Sequence, residues 1–276
     1  MGASSLARAR ALRHSAEALH VSTSGKMSGV LKLQLQSREM VQDENGYLLW
    51  KVRESTADLF AAETALVLCD VWDRHWCRGA VERLERLLPR MNQVVASARR
   101  KGVLIVHAPS DTMDFYRDSP ARRRVLQAPS AEPTPEQPHA DPPLPIDASD
   151  GGCDTDDNLS GVDEIVWTRQ HPAIEIDHEQ DAISDDGREL YNLYRQRGIK
   201  NVIVLGVHTN MCVLNRSFAI KQMVRWGFTV ALVRDLTDAM YSPAHPPYVS
   251  HDAGTQLTVA FVEKFWCPTI LSQDLL

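Results

Sequence analysis

Hydrophobic and polar positions change rhythm along the chain, and each change marks an element. LKLQLQ (31–36) alternates strictly, and after Glu44-Asn45-Gly46 the stretch YLLWKV (47–52) repeats an extended pattern, so an N-terminal β-hairpin is predicted over 29–60. From Glu63 onward, short continuous apolar runs alternate with segments of helical period, the mark of a parallel sheet wrapped by helices. Strands are predicted at 64–70 (TALVLCD), 102–107 (GVLIVH), 162–168 (VDEIVWT), 201–206 (NVIVLG), 228–233 (FTVALV) and, briefly, near 268–271. Helices are predicted at 79–100, 186–198, 212–226 and 252–265. The fold class expected is α/β: a doubly wound six-stranded parallel sheet in three α/β/α layers, with right-handed crossovers and the hairpin as an extension.

Residues 128–160 break this rhythm with seven prolines and a run of acids, and such a segment buries too little apolar surface to fold alone. It reads as a long insertion between the second and third strands, either covering the crevice at the strand ends or lying as a solvated surface loop. Residues 1–28, with Arg8, Arg10 and Arg13 among Ala and Ser, read as a disordered or targeting-like extension. The main domain is expected over 61–276.

Composition narrows the function. With 276 residues, 43% hydrophobic and 24% charged, the chain holds one large core with additions. A formal charge of -6 without a basic stripe argues against nucleic acid, and no apolar run approaches the roughly 20 residues of a membrane span. Cys69, Cys77, Cys153, Cys212 and Cys267 are an odd number without a CxxC pair, which fits reduced thiols in a cytoplasmic protein. A small-molecule substrate is expected.

Two segments carry candidate chemistry. NVIVLGVHTNMCVLNRSF (201–218) runs a buried-type strand through Gly206 into a turn that places Cys212 at a helix start, where a helix dipole and free N–H groups favour a thiolate. TALVLCDVWD (64–73) ends its strand on Asp70, and parallel strands open their carboxyl ends on one side, so Asp70 and Cys212 can share a crevice.

These two segments, with the order of strands between and after them, resemble the isochorismatase-like hydrolases, the superfamily that includes nicotinamidases and other cysteine-dependent amidases, over roughly residues 63–272. The resemblance implies Cys212 as nucleophile and Asp70 as the base that takes its proton. The family's third catalytic group is a Lys after the third strand; VWTRQHPAI puts Arg169 there, which keeps the positive charge but transfers no proton. A cis peptide between Val207 and His208 is also implied, with the N–H groups of His208 and Cys212 as oxyanion donors. Nicotinamidases bind a metal through an Asp and two His after the second strand. VHAPSDTMDFYRDSP offers His107, Asp111 and Asp114 without a following histidine pair, so neither a metal nor another cofactor is expected.

Trp72, His75 and Trp76 follow Asp70 and suit an aromatic substrate wall, and His208 reads as a further pocket residue. Asp235, Thr237 and Tyr241 follow the fifth strand, where the crevice is expected, as substrate contacts or as turn and cap residues. Oligomerisation is common in such hydrolases, and a homo-oligomer is expected. The leading expectation is cleavage of a C–N amide-type bond through a cysteine thioester. Vinyl ether hydrolysis without a covalent intermediate, and a catalytically impaired scaffold with an interaction role, are the alternatives.

Overall fold

The computed structural model describes residues 29–155 and 165–276; the 1–28 extension lies outside them. The first strands are β1 (Val30–Gln42) and β2 (Leu48–Phe60), paired antiparallel along their whole length as the hairpin anticipated from alternation. Asp43 closes its turn by accepting the N–H groups of Asn45 and Tyr47 at 2.9 and 2.8 Å. Leu31 and Leu33 on one face of β1 are buried in the core, which anchors this half of the hairpin.

The main sheet consists of β3 (Thr64–Cys69), β4 (Leu104–Ala108), β5 (Ala182–Ile183), β6 (Asn201–Val207), β7 (Thr229–Asp238) and β8 (Thr269–Ile270). The order across the eight-stranded sheet is β2-β1-β8-β7-β6-β3-β4-β5. Its last six strands are parallel, and β1 joins β8 antiparallel at Gln36 and Thr269. The central strands β3 and β6 are buried at every position, which is why they read as unbroken apolar runs.

Helix α1 (Arg78–Lys101) covers one face, turning Leu84, Leu88, Met91, Val95 and Ala98 inward at helical spacing and ending on Gly102 in the left-handed region. The other face is covered by α3 (Gly187–Arg197), α5 (Ile220–Arg225) and α6 (His251–Phe265), after the short α2 (Pro120–Leu126) and α4 (Cys212–Asn215). Asp186 and Ser250 cap α3 and α6 through their side chains.

Three expectations are corrected. The third parallel strand is not 162–168: residues 165–168 carry no strand, 162–164 lie outside the described residues, and β5 pairs with β4 instead. Asp181 fixes β5 there, since its buried carboxylate meets His107 Nε2 at 2.9 Å and Arg99 at 2.6 Å. The helix expected over 212–226 stops at Asn215, because Arg216 adopts an extended ψ of 150°, and it resumes at Ile220.

The third correction concerns the cysteines. Cys77 and Cys153 form a disulfide with Cα atoms 5.7 Å apart, leaving Cys69, Cys212 and Cys267 free. The insertion passes α3, α5 and α6, where Ala131 N–H meets Asn192, Thr134 meets Trp226 O and His139 stacks on Trp266, and then returns to Cys77. Arg83 holds the adjacent Asp154 at 2.8 Å. The disulfide closes a loop of separation 76, and denaturing titrations with and without reductant, or of Cys153→Ser, are expected to show a loss of about 4 kcal/mol. An unchanged midpoint contradicts this.

Candidate active site

Gly206 sets the spacing of the site. A Cβ there would stand 2.1 Å from the Cys69 carbonyl oxygen, and the φ of 115° also excludes a side chain, so only glycine lets β6 approach the end of β3 this closely. Asp70, the next residue after β3, takes a left-handed φ of 48° and is fully buried. The Val207–His208 peptide that leads from β6 into the turn is cis.

Asp70 and Cys212 meet. The Cys212 thiol lies beside the Asp70 carboxylate, whose Oδ1 accepts the Ser110 N–H at 2.8 Å and whose Oδ2 accepts Arg216 Nε at 3.2 Å. Burial pushes the Asp70 carboxyl above the ordinary carboxylate range, and Arg216, Cys212 and Ser110 offset this only in part. Burial, then the charge of Asp70, pushes the Cys212 thiol well above its usual range, while Arg216 and the His208 backbone N–H pull the other way. The proton therefore rests on sulfur. The expectation of a dipole-stabilised thiolate is corrected: α4 has only four residues, too short a helix for its peptide dipoles to add up.

The cation is not the residue expected. Arg169 has its backbone hydrogen-bonded to Asp73 and its guanidinium 5.5 Å from the centre of the Phe115 ring. The cation on Asp70 is Arg216, which also reaches Asp111 at 3.1 Å. Segment 165–170 crosses the strand ends instead of entering the sheet: Asp73 grips the Thr168 hydroxyl and N–H, and Gln170 bridges to Trp72. That path carries Arg169 away from Asp70.

The wall after Asp70 is aromatic. Trp72, buried and fixed by its indole N–H on the Ser110 carbonyl at 3.0 Å, stacks on Trp167 with ring centres 3.9 Å apart. His75 lies nearly parallel to Trp167 and edge-on to His208, with ring centres 5.0 Å apart in the second pair. Trp76 packs with Met211 against the Cys77–Cys153 disulfide. Trp167 escaped the sequence reading because its apolar run looked like a sheet strand; Arg216 did leave a signal, being four residues after Cys212.

The residues after β7 divide differently from expectation. Asp235 is exposed and receives the Ser272 N–H and hydroxyl at 2.8 and 2.6 Å, so it ties down the C-terminal turn and lies outside the crevice. Tyr241 is fully buried, donating to His245 O and packed on Gly254, a structural post rather than a substrate contact. Thr237 is buried against Thr209, hydroxyl to hydroxyl at 2.7 Å. Asp238, not singled out from sequence, holds Arg83 Nε and His251 Nε2 at 2.8 Å each. Among the described residues, no three His, Cys, Asp or Glu side chains are placed to hold a metal, and no helix is long and apolar enough to cross a membrane.

Comparison with known proteins agrees with this architecture. The family model described as the isochorismatase domain matches residues 64–253. No curated protein matches. Among solved structures, the chain is similar to a cysteine hydrolase from Pseudomonas syringae pv. phaseolicola, at 15% identity and TM-score 0.46, over 79% of this chain and 92% of that one. It is similar to a protein from L. infantum in complex with nicotinate, at 18% identity and TM-score 0.41, over 78% and 96%. A pyrazinamidase of Pyrococcus horikoshii in complex with zinc has 19% identity and TM-score 0.37, over 71% and 94%. With the family model spanning most of the sheet and both segments that meet at the site, the chain belongs to the isochorismatase family.

Proposed function

We propose that this isochorismatase-family hydrolase cleaves an amide-type C–N bond of a small molecule through a thioester on Cys212. The observation that carries the proposal is the placement of the Cys212 thiol beside the buried, Arg216-held carboxylate of Asp70, close enough for each to shift the other's titration. Asp70 takes the thiol proton as sulfur attacks the carbonyl carbon. A C–S bond forms and the carbonyl π pair moves to oxygen, where the backbone N–H groups of His208 and Cys212 stabilise the charge. Collapse breaks the C–N bond, and Asp70 passes its proton to the departing amine. Water then gives a proton to Asp70 and attacks the thioester; the C–S bond breaks and the sulfur recovers the proton. The sum is amide plus water to acid plus amine.

Asp70 must be ionised to accept the proton. Because burial raises its folded pKa, kcat/KM is expected to fall with falling pH at a midpoint above the ordinary carboxylate range. A screen of primary amides, ureides and carbamates, with the acyl-enzyme trapped and located by mass spectrometry, tests the pathway. Acylation of Cys212 and a loss of at least about 10³-fold in Asp70→Asn are expected. Turnover within tenfold of wild type in Asp70→Asn rules the pathway out.

A further inference from the structure

β2 is the outermost strand of the sheet, and among the described residues only β1 pairs with it. Its register with β1 runs without a bulge from Val30 opposite Phe60 to Gln42 opposite Leu48, and the strand contains no proline. The outer edge of this thirteen-residue strand therefore keeps a row of N–H and C=O groups without strand partners, and it has neither of the breaks that commonly blunt such edges. Apolar side chains surround it. Met40, Tyr47, Leu48, Leu49, Val52 and Phe60 of the hairpin are all exposed, Tyr47 by 72% and Leu48 by 71%.

The charges of β2 decide how a second strand can lie there. Lys51, Arg53, Glu54 and Asp58 are exposed on it, and like charges directly opposite one another oppose strand pairing. When a second copy is laid antiparallel about a two-fold axis normal to the sheet, each residue comes opposite one of the same face, and the centre of the axis fixes every pair. An axis centred on Arg53 or Glu54 sets that residue against itself. An axis on Val52 sets Lys51 against Arg53, and one on Thr56 sets Glu54 against Asp58. Among the central positions 52–56, only Ser55 opposes no like charges. That register runs from Trp50 to Phe60, with Trp50 opposite the partner's Phe60, Val52 opposite the partner's Asp58 and Ser55 opposite itself.

We propose that this edge is the interface of a homodimer in which two β2 strands pair antiparallel about Ser55 and join both sheets into one. The pairing supplies strand partners to the outer row of N–H and C=O groups and covers part of the exposed Val52 and Phe60. It also carries the hairpin tip, residues 47–49, past the partner's Phe60 to the turn that follows it. Lys32, opposite Asp58 on β1, brings a counter-charge to the acidic end of the strand. The hairpin lies outside residues 64–253, which the isochorismatase family model matches, so nothing about this surface is carried over from the family. The dimer stands independently of the thioester reading.

Sedimentation velocity of the full chain is expected to show a dimer. Val52→Asp sets a carboxylate directly opposite the partner's Asp58, twice in the symmetric interface, and should weaken the dimer about tenfold; Val52→Lys sets an ammonium there and should keep it. Mild oxidation tests the register. Opposed strand residues stand about 4.5–5.5 Å apart at Cα, within disulfide reach, so Ser55→Cys in the Cys212→Ala protein should cross-link to dimer. Asp58→Cys lies about 20 Å from its own counterpart in this register and should not. All three positions are exposed, so circular dichroism should be unchanged. A monomer at tens of micromolar, equal dissociation constants in the two Val52 variants, or cross-linking of Asp58→Cys as readily as Ser55→Cys each overturns the proposal.

Discussion

Cys212→Ala is expected to lower kcat/KM for the amide substrate by about 10⁴-fold or more, with no trapped acyl-enzyme and with the fold intact. The size of the loss follows from the site. Without sulfur, Asp70 would have to activate a water directly, and Arg216 and the Ser110 N–H already occupy its two oxygens. The vacated space is too small to perturb the packing seriously, since Cys212 is partly exposed and lies at the edge of the core. Circular dichroism and a melting curve separate loss of chemistry from loss of fold. Iodoacetamide should modify Cys212 in the wild type ahead of Cys69 and Cys267, both fully or nearly buried, although its proton-bearing state makes the reaction slow at neutral pH. A variant retaining a tenth or more of wild-type turnover would remove the covalent step and favour acid chemistry by Asp70 alone, as in vinyl ether hydrolysis.

Arg216→Ala and Arg169→Ala are expected to differ by two orders of magnitude in activity. Arg216 is the cation bonded to Asp70, and removing it leaves a fully buried carboxylate held by the Ser110 N–H alone. Breaking a fully buried pair costs about 3–5 kcal/mol; a third of the Arg216 side chain is in water, so about 2–3 kcal/mol is expected here. The carboxyl should titrate higher still, moving the acid limb of kcat/KM toward neutral pH and lowering the pH-independent rate about 10²- to 10³-fold. Arg216→Lys keeps the charge without the fork and should recover part of the rate. Arg169 lies over an exposed Phe115 ring, and its loss should change kcat/KM by less than about threefold. The reverse ordering of the two variants would restore the cation to the position the family resemblance suggested.

Much of this site was legible in the linear chain, and the limits of that legibility are physical. Alternation of period two exposed the hairpin because one face of β1 is buried, and unbroken apolar runs exposed β3 and β6 because helices cover both faces of the sheet. The same rule failed at VDEIVWT: an apolar run need not be buried in a sheet, and here Ile165 is exposed while the half-buried Trp167 stacks on Trp72. The short β5 was invisible because two residues carry no period at all, and an ion network around Asp181 decides its place.

Local pattern thus determined most of the order of elements and the convergence of residues 70 and 212 at the carboxyl ends of the strands, whereas the need for glycine at 206 comes from the close approach of β6 to the Cys69 carbonyl. Only the folded chain decided which guanidinium meets Asp70, which cysteines pair, and which residues after β7 face the cleft. Asp70 and Arg216 are 146 positions apart, and Cys77 and Cys153 are 76 apart. Spacing along a chain encodes what a single strand or helix presents on one face, whereas a contact between distant elements depends on how their backbones cross, and that is settled by packing.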